Sequence, residues 1–371
     1  MPKKVILPLV IVIIVAAAIV IYMATSQSDK SAGTNTNTNA PADCQRFFDG
    51  CNTCTRGENG VATCTGRYCK AEEYEPYRCL DNEPSANTNT NPLVNTASGD
   101  QWQEGGVAVA GAYADADVVE LGNGQWRMYY SAEPEVANFQ GQVYSAVSTD
   151  GVSWTVEDGT RRTWSIFPDV VTLADGTYRM YFQNSQVIKS AVSPDGLTWT
   201  DEAGTRIDVN ETGFTLENVA APTVMQLPDD TWLMVYRGTI DEPYQTTEQV
   251  PNNNTQLFFW ATSPDGLTLA KQGVAVDSRD DRLYGLTDGP ELVRWDNGEL
   301  RLSFWSYTGV YHSVYSNGTF SAPVFDWTNN TNSLQKFPPN PPGDPTYAYI
   351  DDVWYMYYGT HTQGIYYATL E

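Results

Sequence analysis

Five copies of one strand–turn–strand pattern occupy residues 101–371 of this chain. They read ADVVELGNGQWRMYY (116–130), PDVVTLADGTYRMYF (168–182), PTVMQLPDDTWLMVY (222–236), PELVRWDNGELRLSF (290–304) and PTYAYIDDVWYMYY (345–358). In each, a short apolar strand meets an aromatic-rich strand through a tight turn carrying Asn, Asp or Gly. The anchors Trp126, Tyr178, Trp232, Leu300 and Trp354 stand 52, 54, 68 and 54 residues apart. Units of this kind, each too small to bury its own faces, stack around an axis as the blades of a β-propeller. An all-β, five-bladed propeller is the expected fold.

A third strand follows each pair and ends in a sharp turn at 143–154, 187–199 and 257–269, with degenerate versions at 312–320 and 365–370. In Ser-x-Asp-Gly-x-x-Trp the Asp can accept from turn amides, Gly supplies positive φ, and Trp packs back between blades. Asp150, Asp195 and Asp265 are therefore read as structural. The chain ends after the third strand of unit five, leaving a fourth missing. GGVAV at 105–109, preceded by Trp102, matches QGVAV at 272–276, preceded by Leu269. The latter stands where a fourth strand belongs, so the N-terminal strand is expected to complete blade five and remove an open sheet edge.

The region before residue 101 reads differently. Val5 to Met23 form an apolar run of 19 just after Lys3 and Lys4, long enough for a bilayer span with the lysines on the cytoplasmic side. An uncleaved single-pass anchor (1–24) is expected, with everything downstream extracytoplasmic at the cell surface; the rival is a cleaved signal peptide, for which the run is long. Two Thr/Asn-rich linkers (25–43 and 81–100) flank a six-cysteine module at 44–80. Cys44, Cys51, Cys54, Cys64, Cys69 and Cys79 suit three disulfides whose connectivity is open. A zinc site is the rival reading, but Cys51 and Cys54 make the one CxxC and no histidine is near. The formal charge is −24, which repels nucleic acid and anionic lipid and favours neutral partners.

Equivalent positions of the repeats share a height on the propeller axis. The residue after the motif Pro (Ala116 in the first copy) is Asp117, Asp169, Thr223, Glu291 and Thr346. Asp115 and Asp344 lie just before the motif, and Asp288 stands in TDGPE. Crowded carboxylates push one pKa up and leave another ionised, as acid/base cleavage of a glycosidic bond requires. The structural alternative is that they bond turn amides, or that the ring holds a cation such as Ca2+ or a water. No cofactor is required. On the same face Tyr113, Trp164, Phe214, Tyr284 and Trp305 could stack on sugar rings or pack between blades. The segments 237–254 and 337–345 overhang the mouth, and His361 lies in the blade-five loop. His312, within a strand, reads as structural.

The arrangement resembles the five-bladed propeller glycosidases that include arabinanases, β-xylosidases and arabinofuranosidases, related to invertase and levansucrase, over residues 101–371. The turns also resemble the sialidase Asp-box, one residue shorter. The resemblance implies a general base in an Asp-Pro-x-Val start of blade one, an Asp in a Pro-Asp-Val start of blade two that tunes the acid, and a Glu in a Glu-x-Pro start of blade three as acid. Asp115-Ala116-Asp117-Val118 is similar to the first, with Ala for Pro, and Phe167-Pro168-Asp169-Val170 to the second. Blade three reads Ala220-Ala221-Pro222, so the acid falls to Glu217 or Asp288. Phosphorylase relatives need a cationic pocket, for which Arg237, Arg279 or Arg282 are available. The implied activity is hydrolysis of a neutral or pentose-containing glycan by carboxylates among Asp115, Asp117, Asp169, Asp288, Glu291 and Glu217. Tyr113, Trp164, Phe214, Arg237, Tyr284, Trp305 and His361 would bind substrate. The alternative is a non-catalytic carbohydrate-binding or adhesion head on a stalk.

Overall fold

The computed structural model describes residues 102–244, 254–279, 282–328, 342–360 and 363–370, and the backbone of short strands at 46–48, 53–56, 62–64 and 78–79. The expected anchor, both linkers and the cysteine side chains lie outside the described residues. The four short strands form an antiparallel sheet that sets Cys54 opposite Cys64 and Phe47 opposite Cys79 along the backbone. Every regular element among the described residues is a β-strand.

The strands between Gln103 and Leu370 form the five-bladed propeller. From the axis outward, blade one is Tyr113–Gly122, Gln125–Ala132, Val143–Ser148 and Thr155–Val156. Blade two is Ile166–Thr172, Tyr178–Asn184, Val187–Ser193 and Thr200–Asp201, and blade three is Asn218–Gln226, Trp232–Ile240, Thr255–Ser263 and Ala270–Val276. Blade four is Asp288–Arg294, Leu300–Ser306, Gly309–Ser316 and Val324–Trp327, with a short hairpin strand at Thr319–Phe320. Blade five takes Gly343–Ile350, Val353–Thr360 and Gly364–Leu370 from the C-terminus and Gln103–Ala110 from the start of the domain. That closing strand pairs Ala110 with Gly364 and Gln103 with Thr369, as the sequence match predicts. Trp102 anchors it, edge-on to Trp295 at 6.3 Å and tilted against Tyr347 at 5.7 Å.

The second strands carry the core. Met128-Tyr129-Tyr130, Met180-Tyr181-Phe182, Met234-Val235-Tyr236, Leu302-Ser303-Phe304 and Met356-Tyr357-Tyr358 are all buried. A strand in the middle of a blade has a neighbouring blade on each face, so its apolar residues run consecutively instead of alternating.

The Asp-Gly turns staple one blade to the next. Asp195 Oδ1 accepts from the Leu197 and Thr198 amides at 2.8 Å each, and Asp265 does the same for Leu267 and Thr268. The hydroxyls of Tyr129, Tyr181 and Tyr357 then donate to the carbonyls of Gly196, Gly266 and Gly151 in the adjacent turn. Trp154 and Trp199 pack edge-on against Tyr357 and Tyr129. Blade four lacks the full turn. There His312 stands at the position of Ser145 and Ser190, and its Nδ1 bonds Asp326 at 2.6 Å as those serines bond Glu157 and Glu202. His312 is part of the blade's own lock.

All five inner strands share one irregularity. Their pairing with the second strand slips at Ala114/Asp117, Ile166/Asp169, Ala220/Thr223, Asp288/Glu291 and Gly343/Thr346. The extra residue takes positive φ each time: Asp115 (52°), Phe167 (51°), Ala221 (44°), Gly289 (53°) and Asp344 (49°). A bulge leaves one amide out of the ladder, which is why Pro fits at the next position in four of the five copies.

Candidate active site in the central channel

The five bulges set two tiers of side chains around the axis. The outer tier is the bulge residues themselves, and the inner tier is Asp117, Asp169, Thr223, Glu291 and Thr346. The outer tier and, from the inner, Asp117, Asp169 and Glu291 line a central cavity of about 30 Å³, room for a water or two or a single ion.

The inner tier is a belt. Asp117 Oδ2 accepts from the Val170 amide at 2.7 Å and Asp169 Oδ1 from the Val224 amide at 3.2 Å. Thr223 Oγ1 accepts from the Leu292 amide at 2.9 Å, and the Thr346 hydroxyl donates to Glu291 Oε1 at 3.1 Å. Blades one to four thus each satisfy a group of the next. Oxygens of Asp117, Asp169 and Glu291 lie within 4.8 Å of one another. Like unit charges that close repel by roughly 3 kcal/mol at an effective dielectric of about 20. Burial pushes the Asp117 carboxyl up to about 7 against the pull of the Val170 amide. Burial and the charge of Asp117 raise Asp169 well above the usual carboxylate range, and burial with Asp117 and Asp169 raises Glu291 likewise.

The outer tier is asymmetric. Carboxylates occupy it in blades one and five, and Phe167, Ala221 and Gly289 elsewhere. Asp115 and Asp344 are both partly open to solvent. Burial raises Asp115 to about 7, with Asp288 and Glu133 adding to the rise and the Ser131 hydroxyl and Arg237 opposing it. Burial, then Asp115 and Asp288, raise Asp344, opposed by the Trp305 indole, whose Nε1 donates to Asp344 Oδ1 at 3.1 Å. Arg237 Nη1 donates to Asp288 Oδ2, and its guanidinium lies 5.2 Å from the Phe167 ring centre. Gly289 is the packing joint between blades four and five, because a Cβ there would lie 2.3 Å from Asp344 Cα.

The channel therefore brings together Asp115, Asp117, Asp169 and Glu291, with Asp288, Arg237 and Trp305 beside the outer tier. Glu217 is exposed and does not line the cavity. Trp164 is 67% exposed just before the inner strand of blade two. Three other aromatics are engaged in packing. Tyr113 stacks edge-on against Tyr130 and Tyr144, Phe214 against Phe259, and Tyr284 is buried with Leu286 and Tyr307. Arg279 pairs with Asp277, and Arg282 donates to the Pro323 carbonyl. His361 lies outside the described residues. Ser131 and Glu133, at the end of the second strand of blade one, were not anticipated from sequence; they sit beyond the repeat motif. The prominence of Asp344 was signalled by its place under Asp115 in the aligned copies, where it begins an Asp-Pro pair.

No protein-family model matches the chain, and no curated protein matches it. Solved structures do resemble it in fold. One is a protein described with the GH130 family of mannoside phosphorylases, which contains glycoside hydrolases that target β-1,2 mannosidic linkages in Candida mannan. It has a TM-score of 0.54 and 13% identity, over 74% of this chain and 95% of that one. A protein described as a glycoside hydrolase aligns with a TM-score of 0.55 and 13% identity, over 74% and 92% of the two chains. A glycosyl hydrolase from Bacteroides ovatus gives 0.52 and 16%, over 76% and 91%. The chain has the fold of the glycosidase-like propellers.

Proposed function

We propose that the propeller is a glycoside hydrolase whose acid/base pair is Asp115 and Asp344. The observation that carries this reading is the outer tier: two neighbouring, partly solvent-open carboxyls at the same bulge position of adjacent blades, each oriented by its own donor, Ser131 or Trp305. One can protonate the leaving oxygen while the other activates water, as inverting hydrolysis requires, or attacks the anomeric carbon, as retention requires. Asp117, Asp169 and Glu291 support the pair from the tier below. Hydrolysis is favoured over phosphorolysis because Arg237, the cation at the mouth, is already paired with Asp288, and a phosphate would meet Asp115 and Asp344. The acidic mouth and the exposed Trp164 suit a neutral glycan, pentose-containing sugars among them. The head would stand at the cell surface on a membrane anchor at 1–24, carried by the Thr/Asn-rich linkers and cysteine module that precede it.

A panel of aryl glycosides and plant and microbial glycans tests this with wild type, Asp115→Asn and Asp344→Asn. The expected result is wild-type turnover that falls by roughly 100-fold or more in each variant, with glycan binding kept. Glycan binding without turnover in wild type would overturn hydrolysis and leave a carbohydrate-binding head.

A further inference from the structure

Trp164 is 67% exposed, more than any other large apolar side chain among the described residues. Its backbone is left-handed, with φ 57°, a conformation that is costly for a bulky residue and persists only where the surroundings impose it. They do so here. The Trp164 amide donates to the Gln140 carbonyl at 2.9 Å, and the Trp164 carbonyl accepts from Asn184 Nδ2 at 2.7 Å. Ser165 is buried beside it, and its amide donates to the Gly141 carbonyl at 2.8 Å. Arg162, two residues back, lies over the Phe182 ring at 4.3 Å and donates to Asp201. The facing loop is clamped as well. The Gln142 side chain donates to the Asn138 carbonyl and accepts from the Gln140 amide, at 2.9 Å each, on either side of Phe139. Phe139 is itself exposed. Two aromatic rings are thus held in solvent on clamped backbone, one against its own conformational preference. Packing does not account for an indole held in this way.

We infer that Trp164, with Phe139 on the facing loop, is a stacking platform for a sugar beyond the one cleaved, so that the substrate is a neutral glycan chain instead of a single terminal sugar. This rests on the glycan reading of the mouth and adds the direction in which the chain runs. Trp164 stands three residues before Phe167, the blade-two bulge residue that lines the cavity. Three residues span at most about 10 Å, so the indole lies on the blade-two shoulder of the mouth, to the side of Asp115 and Asp344 on blades one and five. An indole offers a broad apolar face to sugar CH groups and an N–H to their hydroxyls. The formal charge of −24 disfavours an anionic polymer there. One indole and one phenyl ring offer far less than the roughly 1,000 Å² that a protein partner buries.

The whole chain is assayed with aryl monoglycosides and with arabino-, xylo- and manno-oligosaccharides of graded length, by turnover and by calorimetric binding. Wild type, Trp164→Ala, Trp164→Phe and Trp164→Gly are compared. In wild type, affinity should rise with chain length. Trp164→Ala should remove that rise, weakening binding of the longer members by about tenfold, as loss of one anchoring aromatic does. The loss should appear in KM, with kcat and aryl-glycoside turnover unchanged, and Trp164→Phe should restore most of it. Trp164→Gly relaxes the left-handed backbone and should melt at or above the wild-type temperature while binding as weakly as Trp164→Ala. Length dependence that survives in Trp164→Ala overturns the platform and leaves hydrolysis standing. An equal loss on the aryl glycoside places the indole at the cleaved sugar and overturns a distal subsite. A lower melting temperature in Trp164→Gly makes the side chain a packing element and overturns the reading as well. Binding that depends on length and on Trp164, without cleavage by wild type, upholds the platform and removes hydrolysis. Failure of wild type to bind any of these oligosaccharides overturns both.

Discussion

Replacing Gly289 by Ala tests whether the bulges hold the mouth together. The new Cβ would stand 2.3 Å from Asp344 Cα and 2.5 Å from Asp344 Oδ1, where ordinary contact begins near 3.4 Å. Blade five must therefore retreat by about 1 Å, since close-packed interiors offer little slack. Two costs add. The left-handed backbone at φ 53° costs an alanine roughly 1–2 kcal/mol, and overpacking roughly 1–3 kcal/mol more. A total near 2–5 kcal/mol lowers the melting temperature by about 5–15 °C in a domain of this size. Gly124→Ala isolates the first cost, because Gly124 also has positive φ (69°) but has nothing within 4 Å of its added Cβ. If Asp344 is catalytic, a displacement of about 1 Å also costs roughly 100-fold in turnover. Differential scanning calorimetry of both variants and hydrolysis of the substrate that wild type accepts read the two effects separately. A Gly289→Ala protein that melts with Gly124→Ala and turns over like wild type would refute the packing argument and the role of Asp344 together.

Trp102→Ala should lose about 3–5 kcal/mol in urea unfolding, because Trp102 is 5% exposed and ties the closing strand to Trp295 and Tyr347; a wild-type midpoint would show that the closure contributes little. The turn amides hold Asp150 and Asp265 down to about 2 and lower Asp195 as well. Their folded values lie below the unfolded value of 3.8, so their stabilisation is present above pH 4 and is lost as pH falls toward 2. Melting curves between pH 5 and pH 2.5 should drop less steeply for Asp150→Asn than for wild type, and parallel curves would count against the turns as acid-sensitive staples. Trp164→Ala should weaken glycan binding by calorimetry without moving the melting temperature, since the side chain is mostly exposed; unchanged affinity would remove it from the site.

What the sequence made legible was whatever repeats. The MYY-type triplets, the Ser-x-Asp-Gly turns and the match of 105–109 to 272–276 each recur, so blade count, core and closing strand follow from alignment alone. The ring of Asp117, Asp169, Thr223, Glu291 and Thr346 was legible for the same reason. The two-tier arrangement was not. A bulge is a property of the pairing between strands, and no residue type announces it when Asp, Phe, Ala and Gly all occupy it. The fates of the aromatics were illegible for a related reason. Tyr113 packs on Tyr130 and Tyr144, Phe214 on Phe259 and Tyr284 with Leu286 and Tyr307, whereas Trp164 stands in solvent, and all four lie outside the aligned motif. Glu217 was drawn in by its nearness to Pro222 along the chain, but it lies in the approach to the inner strand of blade three, short of the bulge that would turn it into the channel.

A fivefold ring has no preferred direction, yet a glycosidic bond needs a proton on one side and a nucleophile or water on the other. The outer tier supplies the asymmetry. Asp115 and Asp344 fall on the two blades that flank the ring closure, while Ala221 and Gly289 leave the opposite side low and Phe167 makes it apolar. Asp288 and Arg237 then form a closed ion pair on that low side, neutral as a unit. A sugar entering over Ala221 and Gly289 would therefore meet charge only where Asp115 and Asp344 stand. One backbone position, bulged alike in all five blades, thus becomes a directional site through the four residue types that occupy it, with the inner tier free to hold the blades together.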